Sequence, residues 1–238
     1  MKLIIPLFIS FFILNFSPVF AQKFVEKQNL IWTRYFLKLK LNKKSFVSQE
    51  LDERLFISPF RQSQYLFRTM YQSDIGRGFA SSFGFAYFNS SSLSKPTLKE
   101  QDKIFELRPI IGINFNHEIS ENLVLSHRFL NEWRFFENNF HQPEFSTSRN
   151  RYKLECKILV SGKFSLNFYD EIFLNLGNNP ISYFDQNRIW VGMNIQPNPR
   201  IAFELGYLNS FQSTNTINEF YNRNNIRFTL YHHLNLIQ

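Results

Sequence analysis

Charged side chains spaced two apart recur along this chain, and any chemistry would have to be built from them. Glu106 and Arg108 form one such pair, Glu132 and Arg134 another, and Arg151, Lys153, Glu155 and Lys157 a longer run. In an extended strand, residues i and i+2 share a face about 7 Å apart, so each pair sets opposite charges side by side. The set expected on one common face is Glu50, Asp52, Arg54, Arg68, Glu106, Arg108, Arg128, Glu132, Arg134, Arg151, Glu155, Glu171, Arg188, Glu204 and Arg227, with Arg34, Lys38, Lys40, Lys153 and Lys157 among them. Such a set supports two kinds of behaviour. It can be a self-satisfying ion-pair network that fills a narrow interior. It can also line a polar passage, or a site for a small anionic solute, which a basic excess would favour.

Other chemistries lack their residues. A hydrolase needs a serine and a histidine on one wall, oriented by a third polar group. Ser126 and His127 are neighbours, so a strand sends them to opposite faces, and no G-x-S-x-G is present. A barrel-embedded lipid hydrolase is therefore the weaker alternative, and no catalytic residue is nominated. Five scattered histidines and Cys156 offer no metal-ligand spacing. With 8 glycines and no phosphate-cradling loop, no cofactor is expected. The positive charge is spread over alternating segments rather than gathered in a patch, which argues against nucleic acid.

The elements that must position these charges are strands. From Asn29 to Leu41, Ile31, Thr33, Tyr35, Leu37 and Leu39 oppose Trp32, Arg34, Phe36, Lys38 and Lys40. Leu107, Ile111 and Ile113 oppose Glu106 and Arg108; Leu125, Phe129 and Trp133 oppose Arg128, Glu132 and Arg134; Tyr152, Leu154 and Cys156 oppose the run from Arg151 to Lys157. Period two runs through nearly the whole chain after residue 22, and no segment has a good 3.6 repeat. About eleven segments of ten or more residues start near 29, 46, 62, 79, 104, 123, 150, 165, 185, 200 and 225. That is longer than the usual strand and long enough to cross a bilayer at a tilt.

Bacterial single-chain barrels have an even strand number, so ten or twelve is expected, with the stretch Phe46–Gln72 around Pro59 the place where the count is unsettled. Short connections at 73–77, 117–122, 161–163 and 196–199 alternate with longer ones at 89–103, 137–148, 176–183 and 212–224. One rim of short turns and one of longer loops marks an outer-membrane barrel. The predicted outer faces are almost wholly apolar. The fold class is therefore all-β: an antiparallel transmembrane barrel of about ten to twelve strands following an N-terminal signal peptide. A soluble lipocalin-like binding barrel or sandwich, with its apolar face inward, is the rival.

Composition agrees with this reading. Of 238 residues 30 are Phe, aromatics reach 18 %, charged residues only 19 %, and the formal net charge is +8. A disordered chain would lack the aromatics, and a disulfide scaffold cannot be built on one cysteine. The only long apolar run, Leu3–Leu14 after Met1-Lys2, stands at the N-terminus and leads to Val19-Phe20-Ala21. This is a secretory leader with cleavage after Ala21, leaving 22–238 as a single barrel domain. The expected partners are outer-membrane lipid, the barrel-assembly machinery and a small polar solute.

Several strings occur together: Gln49-Glu50-Leu51-Asp52-Glu53-Arg54, then Arg61-Gln62, Arg68 and Tyr71, Glu106-Leu107-Arg108-Pro109, His127-Arg128, Arg149-Asn150-Arg151-Tyr152, Asp170–Asn175, Phe184–Arg188 and Gly206-Tyr207. In combination they resemble the family catalogued as domain of unknown function 2490, over nearly the whole chain after the leader. The resemblance implies an outer-membrane barrel of Gram-negative bacteria and no established activity, substrate or catalytic residue. The chain departs from many outer-membrane barrels in ending Leu236-Ile237-Gln238 rather than on an aromatic residue.

Overall fold

The computed structural model describes residues 23–91, 103–177 and 182–236. The leader expected at 1–21 lies outside the described residues, as does the whole of 92–102. Eleven strands are present among the described residues: β1 Phe24–Lys40, β2 Ser45–Phe56, β3 Arg61–Gly76, β4 Phe79–Ser91, β5 Lys103–Ser120, β6 Leu123–Glu137, β7 Pro143–Leu159, β8 Phe164–Leu176, β9 Phe184–Asn198, β10 Ile201–Ser213 and β11 Glu219–Asn235. Each pairs antiparallel with its sequence neighbours, and β1 closes on β11, so the sheet is a barrel without edges.

The expectation of an even number is corrected here. The eleven segments read from period two are eleven strands, and the Pro59 region holds two of them, β2 and β3, joined by a turn at 57–60. In an up-and-down sheet successive strands reverse direction, so the first and eleventh run the same way. Closure is therefore parallel: Phe24 pairs with Glu219 and Lys40 with Asn235 along the full length of β1. Following the register around the barrel returns to β1 displaced by about 14 residues, a stagger that tilts the strands by roughly 45°.

The two rims differ. Turns at 41–44, 77–78, 121–122, 160–163 and 199–200 lie on one; the other is where β2 meets β3 and β6 meets β7, through 57–60 and 138–142, where β10 meets β11 through 214–218, and where the ends of β4 and β5 and of β8 and β9 stand. Two of the long connections are shorter than the sequence indicates. Pairing carries the strands into their polar flanks, with Phe135 opposite Phe145 and Ser213 opposite Phe220, so cross-strand hydrogen bonding overrides the local Ser, Thr and Asn content.

The outer face carries Phe83, Phe85, Leu107, Phe129, Tyr152, Leu174, Leu205 and Phe228, all exposed. The interior is not purely polar. Leu66, Ala86, Phe88, Ile110 and Leu130 pack into one buried cluster, and Trp32, Trp190 and Leu208 into another with Tyr169 against it. Trp190 fits because β9 and β10 carry glycine beside it. A Cβ on Gly206 would stand 2.2 Å from the Val191 carbonyl oxygen and 2.7 Å from the indole, and one on Gly192 2.2 Å from the same ring.

Gly206→Ala should therefore destabilise the barrel by roughly 1–3 kcal/mol through overpacking. Gly162→Ala, at a turn with nothing within 4 Å, should change stability by less than about 0.5 kcal/mol. Equilibrium urea unfolding of the two variants in detergent measures both; equal effects would contradict the packing account.

Candidate functional site

The inward charges converge on a belt around the middle of the barrel. Neighbouring strands supply cross-strand partners through the register: Arg34 faces Asp52, Glu50 faces Arg68, and Glu132 faces Arg149. The Arg34 guanidinium donates from Nε and Nη2 to the two Asp52 oxygens at 2.8 and 2.9 Å and reaches Glu50 at 3.0 Å. Glu50 also receives Arg68. This makes one cluster across β1, β2 and β3.

The larger cluster spans β5 to β9. Glu106 takes Nε and Nη2 of Arg108 at 2.5 and 2.6 Å and Nε of Arg134 at 2.5 Å. Arg108 continues to Glu132 at 3.3 Å. Glu132, 1 % exposed, is the node: Arg149 donates to it from Nε and Nη2 at 3.0 and 2.6 Å, and Arg151 donates from Nη1. Arg149 reaches on to Asp185 at 2.8 Å. Arg151 and Arg128 both donate to Oε1 of Glu171 at 2.8 Å. Lys153 pairs with Glu155. A third cluster joins Arg227 Nη2 to Glu204 at 2.8 Å and Arg227 Nη1 to the Tyr169 hydroxyl at 2.9 Å.

Arg54 and Arg188 also face inward but, among the described residues, have no carboxylate within 4 Å; they lie over aromatic rings. Thus all fifteen side chains singled out in the sequence sit on the inward face, in or beside this belt.

A cavity of about 290 Å³ adjoins the belt, lined by Trp32, Arg54, Arg188, Trp190 and Arg227 among others. Towards the short-turn rim the barrel opens into a vestibule of about 980 Å³ walled by Lys38, Lys40, Lys157, Arg200, His233 and Tyr231, with Glu155 and Glu204 on the belt side. Among the described residues no group of three His, Cys, Asp or Glu is placed to hold a metal ion. His127 lies on the outer face, its Nδ1 2.8 Å from the Tyr152 hydroxyl, and His232 meets the Tyr35 hydroxyl at 3.0 Å.

A family model described as "Protein of unknown function (DUF2490)" matches residues 29–221. The chain belongs to this family. No curated protein matches it. Among solved structures, the NanC porin aligns with 81 % of this chain and 89 % of its own at 7 % identity and a TM-score of 0.48. The DUF2490 match covers β1 to the start of β11, and so contains nearly the whole belt.

Three belt residues escape a face-by-face reading of the sequence. Arg149 stands two before Arg151, a signal that was available. Asp185 is brought inward by a register shift between Phe173 and Leu174, which breaks the alternation. Arg223 precedes the start expected for the last strand; its Nε and Nη1 donate to Gln28 and Gln212 at 2.8 Å.

The outer face also differs from expectation, because it is not wholly apolar. Glu53 accepts from the Tyr65 hydroxyl, Asp170 accepts from Asn187, and Asn209, Asn222, Asn224 and Asn29 form an amide ladder across the closure. Each of these groups has a polar partner on an adjacent strand, which offsets the cost of leaving water.

Glu132→Gln should cost roughly 3–5 kcal/mol, since it strips the shared carboxylate from three buried guanidiniums. Glu137→Gln, which removes the partner of the exposed His141 on the long-loop rim, should cost less than about 1 kcal/mol. Unfolding midpoints of the two variants, compared in one detergent, test this ranking.

Proposed function

We propose that this DUF2490 protein is an outer-membrane barrel, exported with a leader cleaved after Ala21, whose lumen is closed at mid-height by the guanidinium–carboxylate belt. Three features support the location. Large apolar side chains cover the outside, the charges are turned inward, and short turns occupy one rim with longer connections on the other. A lipocalin-like binder would invert the first two. In a bilayer every wall amide must be satisfied within the protein, and a closed sheet does that.

The observation that carries the closed-lumen reading is the burial of the belt. Glu132, Glu171, Arg108, Arg149, Arg151 and Trp190 are each 5 % exposed or less, although they face the interior. An open pore would leave such side chains wet. The belt thus acts as a structural bolt. The basic vestibule below it admits small anionic solutes from the short-turn side, the periplasmic side in barrels of this kind. Lipid around the wall and the assembly machinery that inserts it are the partners this reading implies.

Two measurements test it. The mature protein should begin at Gln22 and fractionate with outer membranes, migrating faster on a gel before boiling than after; recovery as a soluble periplasmic protein would overturn the location. In planar bilayers the wild type should show no steady conductance. Arg108→Ala leaves Glu106 and Glu132 short of a partner, and should lower stability by roughly 1–3 kcal/mol. Steady wild-type conductance, with Arg108→Ala changing ion selectivity but not stability, would show that the belt lines a passage.

A further inference from the structure

Trp32 stands at the centre of an unusual concentration of positive charge. Register puts Arg54 beside it on β2 and Arg227 beside it on β11. Four guanidiniums lie over or against its ring: Arg54 at 3.7 Å, Arg34 at 5.0 Å, Arg227 at 5.4 Å and Arg188 at 5.5 Å from the centroid. Arg34 and Arg227 have carboxylate partners. Arg54 and Arg188 have no carboxylate within 4 Å among the described residues, and the acids nearest in register are already engaged. Both oxygens of Asp52 are held by Arg34. Glu171, opposite Arg188, holds Arg151 and Arg128 through Oε1. Arg54 and Arg188 also repel each other.

The unmet hydrogen-bonding groups that line this cavity are mostly donors; the exceptions are the Ser82 hydroxyl, which can do either, and Glu50 Oε1, which is ion-paired with Arg34 at 3.0 Å. The indole N–H groups of Trp32 and Trp190 and the Nε–H groups of Arg54, Arg188 and Arg227 are buried and have no protein acceptor. All five residues line the same 290 Å³ cavity. Buried polar groups are ordinarily paired, and a set dominated by donors calls for a group that only accepts. A water molecule brings as many donors as acceptors and leaves the charge excess in place. A small oxyanion supplies acceptors and negative charge together, and its planar or tetrahedral edge matches the fork of a guanidinium.

We propose that the barrel binds one small oxyanion, of the phosphate, sulfate or monocarboxylate class, in the belt cavity at Trp32, held chiefly by Arg54 and Arg188. The vestibule supplies the route. Lys38, Lys40, Lys157 and Arg200 draw anions to the short-turn rim, and the vestibule and the belt cavity share Glu155, Glu204 and Tyr231 as common wall. The site goes beyond the closed-barrel reading, because the belt can be closed or conducting with the site occupied in either case.

The test uses the full-length barrel purified in detergent, freed of anions other than chloride. Inorganic phosphate and, separately, acetate are titrated at constant ionic strength. Calorimetry follows binding, and the temperature at which the folded gel band is lost follows stability. The expected result is one anion per barrel, with a raised melting temperature that an equal concentration of chloride does not give. Tighter binding of phosphate or of acetate assigns the class.

Arg54→Gln with Arg188→Gln should weaken binding at least about tenfold, the loss expected on removing charge-assisted donors. In chloride alone this variant should be no less stable than wild type, because a like-charge contact has been relieved. Lys38→Gln with Lys157→Gln, in the vestibule, should leave affinity within about twofold, since exposed lysines steer an anion more than they hold it. If the double arginine variant does not give a folded band, Arg188→Lys serves in its place, keeping the charge and losing the fork. It should fold and still bind several-fold more weakly. Absence of binding heat and of a melting shift in folded wild type, for both anions, overturns the proposal. So does unchanged affinity in the arginine variants, or loss of affinity in the lysine variant alone.

Discussion

The parallel pairing of β1 with β11 is the contact on which the rest of the structure depends. Open that seam and two seventeen-residue edges appear, each with a row of unpaired amides and carbonyls. In water such edges invite aggregation; in hydrocarbon each unmatched group costs several kcal/mol. The seam also sets dimensions. Eleven strands with this stagger make a narrow barrel, and in a narrow barrel inward side chains from opposite walls meet. The charged belt is thus a consequence of closure. Glu132 collects three arginines from the two strands beside it, β5 and β7, and Arg227, beside the seam, reaches Tyr169 on β8 across the interior.

Closure explains why arginine dominates the belt. A carboxylate has about four lone-pair sites, and the belt acids use them by serving several cations each: Glu106 two arginines, Glu132 three, Glu171 two. Only a planar, multidentate donor can also be shared in return, as Arg149 is between Glu132 and Asp185. Buried ion pairs add little net stability over well-packed apolar residues, because desolvation offsets attraction. Their effect is directional. A network with this many fixed partners admits one register, and a slip of one residue would turn every belt charge outward.

Much of this was legible in the sequence because alternation is local. Glu106 and Arg108, or Arg151 and Glu155, declare their common face from their own spacing, and the eleven segments are visible one at a time. What was not legible is non-local or irregular. An odd count is not legible because nothing in any one segment says that β1 will pair in parallel with a strand almost two hundred residues away. Asp185 was lost at a bulge, where the period that carries the argument fails for one residue. Arg223 escapes because Asn222 and Asn224 read as loop, whereas the β10 and β1 backbones on either side hold them in a strand. The apolar share of the interior was hidden for a similar reason. Phe88 and Leu66 occupy the same face as charged residues, and Arg108 lies over the Phe88 ring at 3.7 Å.

The remaining property of the belt comes from its stoichiometry. Guanidiniums outnumber carboxylates, and once the acids are shared to capacity the surplus turns to aromatic rings. Arg54 lies on Trp32 at 3.7 Å and Arg188 on Phe173 at 4.6 Å. A ring offers a cation about 0.5–2 kcal/mol and no net charge, so it holds the guanidinium in place without cancelling its field. That field acts in a confined, low-dielectric interior and is reinforced from the vestibule by lysines of the same sign. A belt selected only for packing would place its acids and bases in equal number, as the Glu204–Arg227 pair does locally. The aromatic platforms do the opposite: they keep unneutralised positive charge, at fixed positions, inside the lumen.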